Sequence, residues 1–188
     1  GTSRYRDGRG LCLSGPMRIV IVADTHGYLD PRIAEHARGA DWVIHAGDVG
    51  ADVAAACGAL GERLQIVAGN NDPADCPWPA RAEIDLPGGT LAIMHGHQWP
   101  ARVRHDRLRA YFAGARAIVL GHSHRRVLDT ETTPWLINPG AAGKSRAFGG
   151  PSYVELIARD HDWQITPHVF TPRSRLRRGG GACVRGRW

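Results

Sequence analysis

No apolar run in the sequence approaches the roughly 20 residues that a membrane-spanning helix requires. Runs such as "IVIVA" at 19–23 and "AIVL" at 117–120 have the length of buried strands. The opening "GTSRYRDGRGLCLSGP" (1–16) also lacks the apolar centre of a secretory signal. A cytoplasmic protein with no membrane partner is therefore expected, with Met17, directly before the first strand-like run, as the expected biological start. Cysteine is scarce and dispersed: Cys12, Cys57, Cys76 and Cys183 form no CxxC pair. That spacing argues against a thiolate zinc site and against a disulfide framework, leaving reduced structural thiols. Internal repeats are absent, and Lys144 is the only lysine.

What is present fits one domain. A chain of 188 residues with 43% hydrophobic content can bury most of its apolar surface without cross-links. The formal net charge of +6 suggests a nucleic-acid binder until its distribution is considered. Residues 172–188 carry six Arg and no acid, and residues 1–16 carry three Arg against one Asp. The body from 17 to 171 then holds 15 basic and 17 acidic residues, a net of −2. We read 1–16 as a flexible N-terminal extension, 17–171 as the folded domain and 172–188 as an Arg/Gly-rich tail, whose composition cannot offset chain entropy by burial. The tail leaves nucleic acid open as a partner, and the body leaves room for a homo-oligomer.

Strand-like and helix-like segments alternate through the body, the pattern of an α/β sheet architecture. "RIVIVA" (18–23), "DWVIHAGD" (41–48) and "LQIVAGN" (64–70) read as strands. "PRIAEHAR" (31–38), which opens with proline, and the Ala-rich "ADVAAACGAL" (51–60) read as helices. "AEIDL" and "TLAIMHG" flank Pro87-Gly88-Gly89 as a hairpin, followed by the amphipathic helix "ARVRHDRLRAYFAG" (101–114) and the strand "AIVLGH". Short strands near 126–129 and 135–138 and a closing hairpin, "SYVELIA" with "WQITPHVF", complete the order.

Chemistry-bearing residues gather where these strands end. The ends carry Asp24 and His26; Asp48; Asn70, Asn71 and Asp72; His95 and His97; and His122 with His124. In open α/β sheets the carboxyl ends of strands are where loops converge on one crevice. An Asp-x-His or an Asn-Asn alone is weak, and five such ends in register are not. Imidazole mixed with carboxylate and amide oxygen suits divalent first-row metals, and the lack of cysteine argues against a purely structural zinc site. Asp24, His26, Asp48, Asn70, His95, His122 and His124 are too many for one ion with an open position, so two are implied. Two ions can clamp the attacking and leaving oxygens of a displacement at phosphorus, with one carboxylate between them and one water acidified into a nucleophile.

The ordered series Asp24-x-His26, Gly47-Asp48, Gly69-Asn70-x-Asp72, His95-Gly96-His97 and Gly121-His122-x-His124 resembles the calcineurin-like metallophosphoesterases, in particular their small prokaryotic phosphodiesterase branch. The resemblance covers 17 to about 171. It implies a two-sheet β-sandwich flanked by helices, in α/β/β/α layers. Carried over by position, Asp24, His26 and His124 would hold one ion, Asn70, His95 and His122 the other, and Asp48 would bridge, with Ser123 a spacer. The implied cofactors are two divalent ions, manganese first, with iron, zinc, cobalt or nickel as the others. The implied reaction is hydrolysis of a small phosphoester, most simply a phosphodiester. Scaffold members of this fold lose metal ligands, whereas all seven positions are filled here. A nucleotide-processing or nucleic-acid-processing enzyme stands as a further alternative, although nuclease members usually carry an extra domain that 188 residues do not accommodate.

One departure bears on catalysis. Many members have His where this chain has Asn71, and asparagine cannot protonate a leaving oxygen near neutral pH. Diesters with good leaving groups should be favoured. His97 is open to two readings, a compensating catalytic acid or a hydrogen-bond donor behind the ligands. Asn71 and Arg146 are substrate-contact candidates; Lys144 and Arg146, in the loop 137–146, could reach a substrate phosphate or be solvated loop charges. Asp72 is expected to close the loop after Asn70 or to orient a ligand, and His45 to be a packed core histidine. His36, His105, His161 and His168 receive no role.

Overall fold

The computed structural model describes residues 15–50, 53, 56, 57, 59, 60, 63–144 and 147–172, with the backbone of residues 5, 6, 12 and 13. Within the expected N-terminal extension, β1 (Tyr5–Arg6) pairs antiparallel with β2 (Cys12–Leu13). Arg146 and residues 173–188 lie outside the described residues, as does half of the 51–60 segment, of which Val53, Ala56 and Cys57 are helical.

β3 (Met17–Val22) begins the body and shows why the chain forms layers. Its β-branched run alternates between two cores, as the two-residue period of a strand dictates. Ile19 and Ile21 enter the core between the sheets, while Val20 and Val22 face the helices. Burying each such side chain is worth about 1.5–3 kcal/mol. β3 pairs in parallel with β4 (Trp42–His45), which pairs in parallel with β5 (Leu64–Ile66). On its other side β3 pairs antiparallel with β11 (Ser152–Ala158), itself paired with β12 (Trp163–Val169). The first sheet therefore has the order β12-β11-β3-β4-β5.

The second sheet has the order β6-β7-β8-β10-β9. β6 (Arg81–Leu86) and β7 (Gly89–Met94) form the expected hairpin, closed at Leu86↔Gly89. β7 runs parallel to β8 (Ala117–Val119), and β8 parallel to β10 (Trp135–Asn138). β9 (Val127–Asp129) closes the edge antiparallel to β10. Leu91, Ile93, Ala117, Val119 and Ile137 meet Ile19, Ile21, Ile44 and Val154 in the core between the sheets.

Helical segments cover both outer faces, Val53 and Cys57 of the 51–60 segment joining α1 (Pro31–Ala37) on the first. α1 starts where the Asp30 carboxylate accepts the Arg32 backbone N–H at 2.9 Å, with Pro31 at its first position. It buries Ile33 and Ala37 against Val20, Val22 and Val43. α2 (Ala101–Tyr111) lays Leu108 against Ala92, Met94, Ile118 and Leu120, with Phe112 just beyond its end. The result is an α/β/β/α sandwich whose parallel strands β3, β4, β5, β7 and β8 deliver their C-terminal loops to one end. Among the described residues no helix is long and apolar enough to cross a membrane.

Candidate metal centre

Parallel pairing continues past the strands as backbone hydrogen bonds between loops. Asp24 N–H donates to the Gly47 carbonyl at 3.0 Å, His26 N–H to Asp48 at 2.9 Å and Gly27 N–H to Val49 at 2.8 Å. Gly121 N–H donates to the His95 carbonyl at 3.1 Å, joining the two loops of the second sheet. The sheets meet where His122 N–H donates to Asp24 Oδ1 at 3.2 Å. The loops are thus held in register before any ligand is considered.

Backbone strain concentrates here. Asp24, His26, Asp48, His122 and His124 have φ between 46° and 68°, and among the described residues they are the non-glycine positions with positive φ. Such a conformation costs about 1–3 kcal/mol per residue and persists where surrounding bonds over-determine it. All five belong to the seven expected ligands. Gly47, at φ 96°, makes the centre compact, since a Cβ there would sit 2.6 Å from His95 Nδ1 and 2.8 Å from Gly69 N.

The structure brings all seven expected ligands together. Ligand atoms of Asp24, His26, Asp48 and His124 lie within 4.8 Å of one another, and three of these residues are buried. His26 Nε2 and His124 Nε2 are 3.2 Å apart, and His124 Nε2 is 3.4 Å from Asp24 Oδ1. Beside this group, Asn70 Oδ1 lies 2.8 Å from His122 Nδ1 and 3.2 Å from His95 Nε2. Asp48 Oδ2 stands between the groups, 3.8 Å from His26 Nε2 and 3.5 Å from His95 Nε2. The His95 Nδ1–H donates to the Ala46 carbonyl at 2.6 Å, which aims Nε2 inward, the usual support of a metal-ligating imidazole. Imidazole nitrogens converging on carboxylate and amide oxygens form a donor set that fits divalent metal ions.

The electrostatics follow from this crowding. Burial opposes ionisation of Asp48, yet hydrogen bonds from His95 and Asn71 outweigh it and hold the carboxyl well below its ordinary range. Burial also disfavours a charged His95, but its contact with Asp48 and the nearby Asp24 raise its pKa overall. His122 is pushed down to about 4 by burial and then by the neighbouring His95. Of His95 and His122, His95 is therefore the one whose neighbours favour a proton, which a bound cation would displace.

The other expected site residues divide. Asn71 sits beside Asp48 and gives it one hydrogen bond from each of its nitrogens, the backbone N 2.8 Å from Oδ1 and Nδ2 2.7 Å from Oδ2. His97 is exposed at the rim, its ring centroid 5.5 Å from that of His95 and 6.3 Å from that of His122. Its pKa is lowered by desolvation and then by His95. Lys144 Nζ lies 3.8 Å from the Tyr28 ring centroid. Ser123 is more than a spacer, since its Oγ accepts from Asn138 Nδ2 at 3.1 Å, a bond that residue spacing alone does not reveal.

Three supports went unassigned from sequence or gain definition here. Asn138 Nδ2 also donates to the Gly121 carbonyl at 2.9 Å, and Asn138 Oδ1 accepts from Gly140 N–H at 3.0 Å, so the end of β10 fixes the His122 loop. Asp72 accepts N–H groups of Asp48 and Gly69 on Oδ2 and of Val49 and Gly50 on Oδ1, at 2.8 to 3.4 Å. Its carboxylate fills a nest of backbone amides behind the centre. His45 is fully buried, its Nδ1 accepting from Gly47 N–H at 3.2 Å and its Nε2 2.9 Å from Thr25 Oγ1.

The sequence model described as the calcineurin-like phosphoesterase superfamily domain matches residues 17–160. The chain belongs to that superfamily. No curated protein sequence matches it. Among solved structures, a single-site variant of Entamoeba histolytica Vps29 is similar at 17% identity, covering 82% of this chain and 100% of its own, with a TM-score of 0.68. The wild-type form of that Vps29 was solved in complex with Zn2+. A conserved predicted phosphoesterase from Streptococcus pneumoniae is similar at 20% identity, covering 87% of this chain and 97% of its own, with a TM-score of 0.66. A Thermotoga maritima protein solved by NMR is 25% identical over 82% of this chain and 99% of its own, with a TM-score of 0.63. These likenesses bear on the fold, and they agree with the sandwich built from the sequence upward.

Proposed function

We propose that this phosphoesterase-superfamily chain is a dinuclear metal-dependent hydrolase acting on phosphodiesters. The observation that carries the reading is Asp48, whose Oδ2 stands between His26 Nε2 and His95 Nε2 at 3.8 and 3.5 Å. Asp24, His26 and His124 would hold one ion and Asn70, His95 and His122 the other, with Asp48 shared. Manganese is the first candidate, and zinc, iron, cobalt and nickel suit the same donors. When bound, such ions supply positive charge to phosphoryl oxygens and make water acidic enough to attack phosphorus.

The chain's own residues do the rest. Asn71 and Asp72 keep Asp48 ionised and its loop fixed. The Ala46 carbonyl orients His95, and Asn138 orients the loop bearing His122 and His124. With asparagine at position 71 and its donors turned to Asp48, no imidazole stands there to protonate a departing alkoxide. Diesters whose leaving group departs unaided are therefore the favoured substrates.

A second reading is favoured by the likeness to Vps29, namely a protein-binding scaffold that retains the fold. The seven filled donor positions favour catalysis over it. The deciding experiment pairs metal analysis of the purified chain with hydrolysis of bis(4-nitrophenyl) phosphate after loading with manganese. About two ions per chain with turnover supports the enzyme. Two ions without turnover of diesters, monoesters or cyclic nucleotides would favour the scaffold.

A further inference from the structure

α2 carries one residue that its position does not explain. Arg104, Leu108 and Phe112 fall at i, i+4 and i+8, one helical stripe, and are 8%, 0% and 4% exposed. Leu108 and Phe112 pack into the apolar core on the outer face of the second sheet. Arginine in that stripe is a buried charge, since a guanidinium stays protonated in proteins, and a buried charge is costly unless paired. No described carboxylate pairs with Arg104. Its Nε donates to the Trp99 carbonyl at 3.2 Å. Its two Nη atoms have no hydrogen-bond partner among the described residues, and neither is sealed from solvent.

The location of this charge supplies a second observation. The Arg104 stem passes against Gly96, where a Cβ would lie 3.2 Å from its Cδ and 3.8 Å from its Nε, and 3.7 Å from Leu120 Cβ. Gly96 separates His95 from His97, and Leu120 precedes Gly121-His122. The side chain therefore lies against the loop that follows β7, at the residue between His95 and His97, which also neighbours Leu120 just past the end of β8.

We propose that Arg104 is an anion-binding residue of this centre, its two Nη groups receiving oxygens of the substrate's phosphoryl group. A planar guanidinium whose Nη1–Nη2 end is free can donate to two phosphoryl oxygens, and an arriving anion supplies the counter-charge that the protein withholds. The assignment to substrate rests on the phosphoesterase reading; the anion site does not. The opposing description is a loop anchor, in which the stem fills the space left by Gly96 and Nε pins the Trp99 carbonyl.

The test uses the full chain, both zinc-loaded and metal-free, with inorganic phosphate and dimethyl phosphate as probes read by 31P line broadening and calorimetry. Arg104→Met keeps the stem and removes the charge. It is expected to weaken binding of both probes at least tenfold, leave zinc content unchanged and melt no lower than wild type in phosphate-free buffer. Arg104→Lys, which keeps the charge without the fork, is expected to bind several-fold more weakly than wild type. Phosphate should raise the wild-type melting temperature more than that of Arg104→Met. Wild-type affinity in either variant overturns the proposal, and a lower melting temperature with unchanged affinity assigns Arg104 to the loop anchor instead. Weakened binding of inorganic phosphate alone overturns the substrate assignment. Phosphate binding through Arg104 in a chain that hydrolyses no phosphoester would sink the enzyme reading while leaving the anion site intact.

Discussion

Asn71 donates to Asp48 from both its backbone and its side-chain nitrogen, N 2.8 Å from Oδ1 and Nδ2 2.7 Å from Oδ2. The residue at the position where many family members have histidine therefore serves the carboxylate that stands between the two groups of donors. Asn71→Ala should loosen Asp48 and weaken metal affinity by about tenfold, the lower range for loss of a ligand's supporting bond. The dependence of rate on leaving-group pKa should not change. Metal titration and a series of substituted aryl diesters check both parts. A steeper leaving-group dependence at full metal affinity would show instead that the amide acts on the departing oxygen.

Asp48→Ala removes the anion from between the two groups of donors. Metal content should fall, and diester hydrolysis should drop by roughly 10³-fold or more, because several kcal/mol of stabilisation are asked of the ions and each 1.36 kcal/mol is a factor of ten. Far-UV circular dichroism should stay the same, since the sheets do not depend on this side chain. Retention of a tenth of wild-type turnover would contradict the two-ion reading.

Asp72 never faces the centre, yet its carboxylate receives N–H groups from both the Asp48 and the Asn70 loops. Asp72→Ala leaves those amides without their acceptor, at a cost of about 1–3 kcal/mol in stability for buried donors. It should also lower metal affinity by about 10- to 100-fold as the Asp48 loop relaxes. Urea denaturation and metal titration measure the two effects. Full metal affinity at reduced stability would confine Asp72 to closing its loop.

Much of this was legible in the sequence because its information is local. Ile19 and Ile21 alternate with Val20 and Val22, so one short run announces a strand buried on both faces. The five motifs lie at strand ends, so knowing the strands locates the ligands. What was not legible depends on direction and on distant partners. Nothing in "GNND" says that the amide of Asn71 points at Asp48, or that the carboxylate of Asp72 reaches back to Val49 and Gly50. Ser123 read as a spacer because its partner, Asn138, comes fifteen residues later on another strand. Arg104 drew no separate reading within its amphipathic helix, since periodicity assigns a face and cannot say that an arginine fills a place on the buried one. The left-handed backbone at five of the seven donors is likewise a tertiary property, because none of those five is glycine.

His45 links the centre to stability. It is buried between Gly47 N–H and Thr25 Oγ1, and burial pushes its pKa down to about 3. An unfolded chain would protonate the same imidazole below about pH 6.5. The native state keeps it neutral to far lower pH, so the unfolded state binds more protons between these values and stability falls as the medium is acidified through that window. The contribution is complete above about pH 6.5 and is lost progressively toward pH 3. His45→Gln should be less stable than wild type at neutral pH, having given up the ring's fit between two loops. Below pH 6 its stability should also depend less steeply on pH, by up to about 1.4 kcal/mol per unit, the slope of one proton. Urea denaturation of both proteins at several pH values, with chelator present so that metal release does not contribute, isolates the difference. Parallel slopes would mean that His45 takes up its proton within the fold, and the bonding scheme joining it to Gly47 and Thr25 would then be wrong.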